Sequence, residues 1–289
     1  MPTPPPSAFE GPPSVVPSPV ERTAAPMSSA PPHVAICFDV PWSHPSWVLG
    51  DQTVPESSVQ DRASRAMDST WTAWACRCRR GVVVRRNLAV RWDRQNPRIG
   101  VDPDVCLLEP PPATPSEALT SLRTWEPGND PPRVAFEVVS ENNADKDYGA
   151  GPRKHAAAGV GELWVFDPLH LGPDDDGGPW VLQVWDRGDD DVFRRVYVGD
   201  GPAYSAYFGA WLVVSSDGML LRMSDDEEGT ERWPTEAEET EHERTEKERA
   251  LAQVTHERAE KERERAEKER ALARVAEVEA LLAAMRDGG

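Results

Sequence analysis

The segment Pro131–Pro168 reads PPRVAFEVVSENNADKDYGAGPRKHAAAGVGELWVFDP and is the most informative part of the chain for its architecture. It begins with an apolar run, Val134–Val139, which contains a single carboxylate, Glu137. A polar, glycine-rich segment and a short alanine-rich helix that ends at Gly159 come next, and a second apolar run, Leu163–Phe166, follows. Strand, helix and strand within so short a span predict a crossover unit that joins two neighbouring strands.

Glu137 is the unusual residue of this stretch. The apolar residues on both sides of it are typical of a strand that is covered on both faces of a sheet. An ionised carboxylate there has a large desolvation cost unless it is paired with a cation or binds a metal ion. From the residues alone, a metal ligand and a buried glutamate paired with an arginine both remain open.

The chain has 289 residues, enough for one or two domains, and a net charge of −18. Residues 225–289 contain 21 acidic and 12 basic residues, and the rest of the chain contains 29 and 20, so both parts are acidic. This balance provides no domain-wide positive field for a nucleic acid, and DNA binding would need a local basic patch.

The cysteines and the apolar runs indicate the compartment. The spacing of the four cysteines predicts neither a disulfide framework nor a zinc knuckle, so we expect reduced thiols. No apolar run approaches the ~18 residues of a membrane span, and the N-terminus lacks the basic start and apolar core of a secretory signal. We therefore expect a soluble, cytoplasmic protein without a membrane partner.

The composition divides the chain into three parts. Residues 1–45, rich in Pro, Ser and Ala, are predicted to be a disordered tail, although Val34–Val40 has strand character and could join the fold. Residues 46–224 are predicted to form the globular domain, and residues 225–289 a charged helical tail.

Within the globular part, apolar spacing predicts a helix over Ser57–Ala75, with Ser57 or Ser58 as its cap. The other predicted elements are two strands within Gly81–Trp92, a strand over Val105–Leu108, a helix over Pro115–Trp125, and three antiparallel strands, Trp180–Trp185, Val192–Val198 and Trp211–Val214, that extend the sheet. The arginines between Arg77 and Arg94 could contact nucleic-acid phosphates, or they could form an ordinary solvated strand edge.

The tail repeats itself at a seven-residue offset, since Ala259–Arg265 is AEKERER and Ala266–Leu272 is AEKERAL. A coiled-coil seam would contain apolar residues near its ends and cations in its middle: Leu251, Val254, Leu272, Val275 and Leu282, and Arg258, Lys261, Arg265 and Lys268. The pattern predicts a long charged helix that is either solvated by itself or self-associated near its apolar ends.

Asp104 and Glu137 are the carboxylates that could carry chemistry. Each lies in or at the end of an apolar strand, so the two side chains can face each other if the strands are neighbours. Mg²⁺ typically takes one or two carboxylates and keeps several waters, and it can polarise a phosphoryl oxygen. Lys146, Arg153 and Lys154 could stabilise the charge that develops on a phosphate.

The order and spacing of several short motifs over Ser57–Val214 resemble the restriction endonuclease family often called the Uma-two family, a member of the PD-(D/E)XK nuclease superfamily. The matching residues are Pro103-Asp104, Val134, Glu137-Val138, Ser140, Asp147, Gly159-Val160, Glu162, Trp164 and Asp167-Pro168, with Gly209–Val214 similar to the family's terminal strand.

The resemblance implies an α/β (α+β) restriction-endonuclease-like core, in which helices flank a mixed sheet. It implies that Asp104 and Glu137 bind Mg²⁺ or Mn²⁺ and that the substrate is DNA. For the glutamate that some superfamily members place on the first helix, the candidates are Asp61 and Glu56.

Two positions depart from the family pattern. The lysine that usually stands two residues after the acid is Val139 here, and the family's lysine on the following helix is Gly151. Lys154 and Lys146 are therefore the predicted catalytic lysines. His155, at the family's aromatic position, could act as a general base or could be packed without a role.

Two functions follow. The first is a metal-dependent endonuclease that hydrolyses phosphodiester bonds in DNA. The second is a catalytically degenerate nuclease-fold protein that acts as an oligomeric binding or scaffold module, which the missing lysine and the acidic charge favour. Both carboxylates and a lysine around one point would favour the first, whereas an arginine paired with Glu137, without a lysine nearby, would favour the second. Trp164 and Trp185 are expected in the core, not as platforms for bases.

Overall fold

The computed structural model describes residues 34–38, 40–49, 57–78, 81–141, 144–174 and 178–287. Most of the predicted disordered tail lies outside the described residues, as does Glu56. Near the end of that tail, Ala35–Ile36 forms a short strand, in agreement with the strand character of Val34–Val40.

Twelve strands and three α-helices make up the described fold. The strands are β1 (Ala35–Ile36), β2 (Val83–Arg86), β3 (Ala89–Arg91), β4 (Val105–Leu108), β5 (Ser121–Arg123), β6 (Val134–Val138), β7 (Glu162–Phe166), β8 (Leu182–Arg187), β9 (Phe193–Gly199), β10 (Ala203–Ser205), β11 (Ala210–Val214) and β12 (Leu221–Ser224). The helices are α1 (Ser58–Cys78), α2 (Gly151–Ala158) and α3 (Glu236–Asp287).

A seven-stranded sheet in the order β1-β9-β8-β7-β6-β4-β2 forms the centre of the molecule. Strands β6 and β7 pair in parallel, and the other neighbouring strands pair antiparallel. The predicted fold class, a mixed sheet flanked by helices, is confirmed. Two smaller sheets accompany it, β10-β11-β12 and β3-β5.

The crossover unit predicted from Pro131–Pro168 is confirmed. Helix α2 connects β6 to β7, and Val134 lies opposite Glu162 in the parallel pair. The helix ends at Gly159, whose φ of 85° is in the left-handed region that favours glycine. A Cβ at this position would also lie 3.0 Å from the Cγ of Pro131, so any other residue would force Pro131 to shift as well.

Each face of the central sheet is covered by its own apolar core. Helix α1 packs Met67, Trp71 and Trp74 against one face, together with residues of β10–β12. On the other face, α2 and the β3-β5 sheet bury side chains such as Val90 and Leu122. Every residue of β4, β6 and β7 is buried, which explains their nearly continuous apolar sequences.

The predicted helix over Ser57–Ala75 is confirmed, and the Ser57 hydroxyl caps it by accepting a hydrogen bond from the Gln60 N–H at 3.1 Å. The predicted helix over Pro115–Trp125 is wrong. The segment contains a short 3₁₀ helix, Ser116–Ala118, and then β5, because Leu122 is buried where this strand pairs in parallel with β3.

Two of the three strands expected to extend the sheet, β8 and β9, do so antiparallel to their neighbours. The third, Trp211–Val214, instead lies in the separate three-stranded sheet, where it pairs with β10 and β12. Alternation of apolar residues defines a strand but does not specify which sheet receives it.

Candidate active site

Asp104 and Glu137 are brought together because β4 and β6 are neighbours. The two strands pair antiparallel with Val105 opposite Phe136, so Asp104, just before β4, lies level with Glu137. Oδ2 of Asp104 accepts a hydrogen bond from the Val138 N–H at 2.7 Å. Both carboxylates are buried, with exposed fractions of 5% for Asp104 and 4% for Glu137.

Helix α1 contributes an amide to this pair. Nε2 of Gln60 donates to Oδ1 of Asp104 at 2.9 Å, so the first turn of α1 touches the acid pair. Asp61, the residue that the sequence suggested for this helix, instead accepts hydrogen bonds from Arg65 and Arg86. Sequence reasoning missed Gln60 because it searched for a charged residue, whereas the contact is made by a neutral amide.

His155 is the partner of Glu137. Nε2 of His155 and Oε1 of Glu137 are 2.9 Å apart, and the imidazole is fully buried. Burial, and then the positive charge of Lys146, lower the pKa of His155 to about 3, so the ring is neutral near pH 7. The hydrogen bond between the neutral imidazole and the Glu137 carboxyl group holds one carboxyl oxygen in place, and the anticipated arginine partner is not the one observed.

A π-helical turn, Lys146–Ala150, precedes α2 and carries the cation of the site. The Gly151 N–H donates to the carbonyl of Lys146, five residues earlier, so Lys146 lies one turn above Gly151. His155 follows Gly151 by four residues in α2 and shares its face of the helix. The π-turn thus aligns Lys146 with the helix face that meets Glu137, although Gly151 has no side chain to offer.

Lys146 lies among carboxylates. Its Nζ is 3.7 Å from Oδ1 of Asp147. The pKa of Lys146 is raised by Glu137 first, and then by Asp147, Asp104 and Asp102, against the opposing effect of burial. These charges hold the lysine in its protonated form next to the acid pair.

The three buried acids of the site, Asp104, Glu137 and Asp147, have raised pKa values. Burial and the charge of Glu137 raise the pKa of Asp104 to about 7. Burial also raises the pKa of Glu137 to about 7, while Lys146 and the Asp104 N–H act in the opposite direction. Burial and Glu137 raise the pKa of Asp147 to about 8. Three acids in one buried site therefore need more positive charge than Lys146 supplies.

Lys154, the other predicted lysine, is partly buried on α2. Burial and the neighbouring Lys146 lower its pKa, with Asp102 and Glu137 acting in the opposite direction. Arg153, also on α2, is exposed. Asp102 was not singled out by its sequence, yet burial raises its pKa, and Lys146 and Lys154 both act on it.

The described arginines of the Arg77–Arg94 stretch are largely engaged within the molecule. Arg85 donates to the Leu119 carbonyl and Arg91 to the Pro97 carbonyl. Arg86 pairs with Asp61 at 2.9 Å. Their spacing along the chain indicated a phosphate-binding surface, but these contacts favour the alternative of a strand edge with internal partners.

Other residues of the family pattern have structural roles. The carboxylate of Glu162 accepts hydrogen bonds from the Trp164 indole and the Tyr207 N–H. Asp167 accepts from the N–H groups of Leu171 and Gly172. Trp164 and Trp185 are buried, with exposed fractions of 0% and 2%, in agreement with their predicted core positions.

The donor set of the site fits a hard divalent cation. Within the described residues, no group of three or more His, Cys, Asp or Glu side chains is arranged to hold a metal ion. Two carboxylates are nevertheless the usual protein share of a Mg²⁺ site, in which water and substrate phosphate complete the octahedron. Burial is the first cause of the raised pKa values of Asp104 and Glu137, so a cation bound at the pair would favour their ionised forms.

The sequence profile of a family named Uma2, described as "Putative restriction endonuclease", matches residues 50–199, just over half of the chain. The chain belongs to the Uma2 family. The match includes β2 to β9 and therefore every residue of the acid pair and of the π-turn. The Uma2 resemblance seen in the sequence is thus confirmed, and the protein belongs to a nuclease family.

A solved structure that resembles the protein is a crystal structure described as "a putative nuclease belonging to DUF820 from Anabaena variabilis ATCC 29413". It aligns with a TM-score of 0.35 and 10% sequence identity over 54% of this chain and 76% of that chain. No curated protein matches the chain. None of the helices in the described part of the chain combines the length and apolar character of a membrane-spanning segment.

Proposed function

We propose that this Uma2 protein is a metal-dependent endonuclease that hydrolyses phosphodiester bonds in DNA, with Mg²⁺ or Mn²⁺ as its cofactor. The observation that carries the proposal is the buried pair Asp104 and Glu137 on neighbouring strands, with Lys146 held protonated beside it. The family's description as a restriction endonuclease supports DNA as the substrate.

Asp104 and Glu137 would hold the metal ion, which supplies Lewis acidity toward a phosphoryl oxygen when it is bound. Gln60 and the Val138 N–H fix the Asp104 carboxylate, and His155 fixes that of Glu137. These contacts keep both carboxylates oriented before substrate arrives, which avoids reorganisation during the reaction.

Lys146 would stabilise the negative charge that develops on the phosphate as the attacking water adds. Its raised pKa keeps it charged at neutral pH, so it serves as an electrostatic group and not as a general base. His155 is also a poor general base, because it is fully buried and its ring contacts Glu137. The water is therefore activated at the acid pair, not at the imidazole.

The test measures metal binding and cleavage on the same samples. Wild-type protein, Glu137→Gln and the matched control Glu141→Gln, an exposed glutamate just beyond β6, are titrated with Mn²⁺ by calorimetry and incubated with supercoiled plasmid and Mg²⁺. We expect wild type and Glu141→Gln to bind the ion and nick the plasmid, and Glu137→Gln to do neither.

Failure to bind the ion in wild type would contradict the proposal. Ion binding without cleavage of DNA would instead favour the alternative, a nuclease-fold module that has lost catalysis. An RNA of the same sequence serves as a second substrate, and its exclusive cleavage would replace DNA in the proposal.

A further inference from the structure

A cleft of about 770 Å³ lies between the N-terminal end of the described chain and the start of α2. One wall contains Phe38, Trp42 and Trp47, and the other is formed by residues 148–153 except Gly151. Trp185 also lines it. Asp104, Glu137 and Lys146 do not line this cleft, so it is separate from the acid pair.

Aromatic rings dominate the first wall. Phe38 and Trp42 stack with their centroids 4.6 Å apart and an angle of 5° between their planes. Trp47 packs edge to face on Trp42 at 4.9 Å. Trp42 nevertheless keeps 37% of its surface exposed, so part of this aromatic wall is accessible to a ligand in the cleft. Flat exposed rings of this kind are the usual platforms for unpaired bases.

Trp185 provides an independent observation. It is 2% exposed, and within the described residues its buried indole N–H has no hydrogen-bond partner. A buried N–H without a partner is destabilising. The N–H is too buried for a base in the cleft to reach it without a shift of the Trp185 ring, and after such a shift a ring nitrogen or carbonyl oxygen of the base would accept from it.

A cation lines the cleft on the helical segment that also carries Lys146. Arg153 lines the cleft and is exposed, and a guanidinium is well suited to bind a phosphate. The same helical segment carries Lys146 before the cleft residues and Lys154 after them. Lys146, Arg153 and Lys154 thus place positive charge along one helical segment, which favours a polyanionic strand over a neutral ligand.

We infer that this cleft binds an unpaired nucleobase of the nucleic-acid strand, through stacking on the outer face of the Phe38–Trp42 pair and contact of its phosphate with Arg153. The occupant is an unpaired base because a duplex hides the faces of its bases in the stack. The inference rests on the proposed function for its substrate class, and its test omits metal so that binding is measured without hydrolysis.

The test is fluorescence anisotropy in EDTA with labelled single-stranded DNA of about twelve nucleotides, RNA of the same sequence, and the blunt duplex. We expect wild type to bind at least one of the single strands more tightly than the duplex. Trp42→Ala should weaken that binding about tenfold, and Trp42→Phe, which keeps a ring, should restore most of it. The DNA and RNA arms show which strand supplies the base.

The matched control is Tyr204→Ala. Tyr204 is 51% exposed and packs edge to face on Trp211, but it lies on β10, away from the cleft. The carbonyl of Trp42, which accepts a hydrogen bond from the Trp92 indole, is unchanged by either substitution at position 42, and thermal melting checks that the variants fold.

Equal affinity of folded Trp42→Ala and wild type, or an equal loss in Tyr204→Ala, would overturn the inference, as would tighter binding of the duplex. The two proposals fail separately. A wild type that binds single strands through Trp42 but never cleaves leaves the inference standing, whereas a protein that cleaves but ignores Trp42→Ala leaves only the proposed function.

Discussion

The candidate active site and helix α3 contain the same kinds of charged residue in opposite environments. We call the first the acid–lysine site, and it consists of Asp104, Glu137, Lys146, Asp147 and His155. In the acid–lysine site, Glu137 and His155 meet at 2.9 Å with side-chain exposures of 6% and 0%. In α3, His256 and Glu260 are 3.8 Å apart with exposures of 75% and 62%. Histidine–glutamate pairs thus occur both in the interior and in water, where His242 and Glu246 form another one on α3.

The difference shows that burial, not residue type, decides which charges can do chemistry. Exposed pairs four residues apart on a helix are screened by water and contribute little. Charges in the interior have strong mutual effects, which is why burial and its neighbours raise the pKa of Asp147 to about 8. The repeats of α3 are the more conspicuous in sequence, but the few charges of β4, β6 and the π-turn carry the proposed reaction.

The largest expected effect that would sharpen this contrast concerns Lys146. Replacing it by Met should lower plasmid cleavage about 10²- to 10³-fold, since it removes a preorganised cation from the phosphate while leaving both metal ligands. Single-turnover cleavage rates with Mg²⁺ measure this loss. Lys154→Met is the matched variant, and a larger loss there than in Lys146→Met would transfer the role to Lys154.

The next effect concerns His155, which orients Glu137. His155→Phe keeps a ring in the core but removes the hydrogen bond to Oε1, so we expect Mn²⁺ affinity to fall about tenfold in calorimetry. His155→Gln can still donate and should recover much of the affinity. If both variants bind the ion as wild type does, the imidazole has only a packing role.

The third effect is a fall in the stability of metal-free protein as pH rises. The folded pKa values of Asp104 and Glu137, about 7, lie above the ordinary 3.8 and 4.5, so the folded state keeps protons that the unfolded state has released. Stability therefore decreases as pH rises through the folded pKa. His155, with its pKa lowered to about 3 from 6.5, acts in the opposite direction only below about pH 6.5.

Between about pH 6.5 and about pH 8 we therefore expect a loss on the order of 1 kcal/mol per carboxyl group, measured by urea unfolding in EDTA. Asp104→Asn should flatten this slope, whereas Asn in place of the exposed Asp189 should not. A wild-type stability that rises over this interval would show that the carboxyls are not held protonated in the folded state.

Substitutions in α3 are expected to have the smallest effect on the globular domain. The apolar residues Leu251 and Leu272 are 60% and 61% exposed, and the sequence places both on the coiled-coil seam. We expect the full chain to self-associate at high concentration in sedimentation experiments, and the double variant Leu251→Ser with Leu272→Ser to be monomeric with unchanged cleavage. Glu260→Gln, the charge control, should alter neither property, and a monomeric wild type would show that α3 is a solvated single helix.

Much of the acid–lysine site could be predicted from sequence, and the rest could not for identifiable reasons. Asp104 and Glu137 stand out because carboxylates interrupt or border apolar strands. Lys146 was one of two open candidates, since the π-turn that positions it has no clear sequence signature. Gln60 has no signature either, because an amide in the first turn of a helix is ordinary until the helix is placed against β4.

The crossover unit, the buried strands and the strand positions of the two acids could be predicted from sequence, because these depend on periodicity and on residues close together in the chain. Tertiary packing set the pairing of His155 with Glu137 and moved the third strand of the expected extension out of the main sheet. Those outcomes depend on which elements meet in space. The position of Lys146 depends on the π-helical turn, whose additional residue rotates the side chains before it relative to those of α2. Contact between residues distant in the chain is settled by packing, not by local pattern.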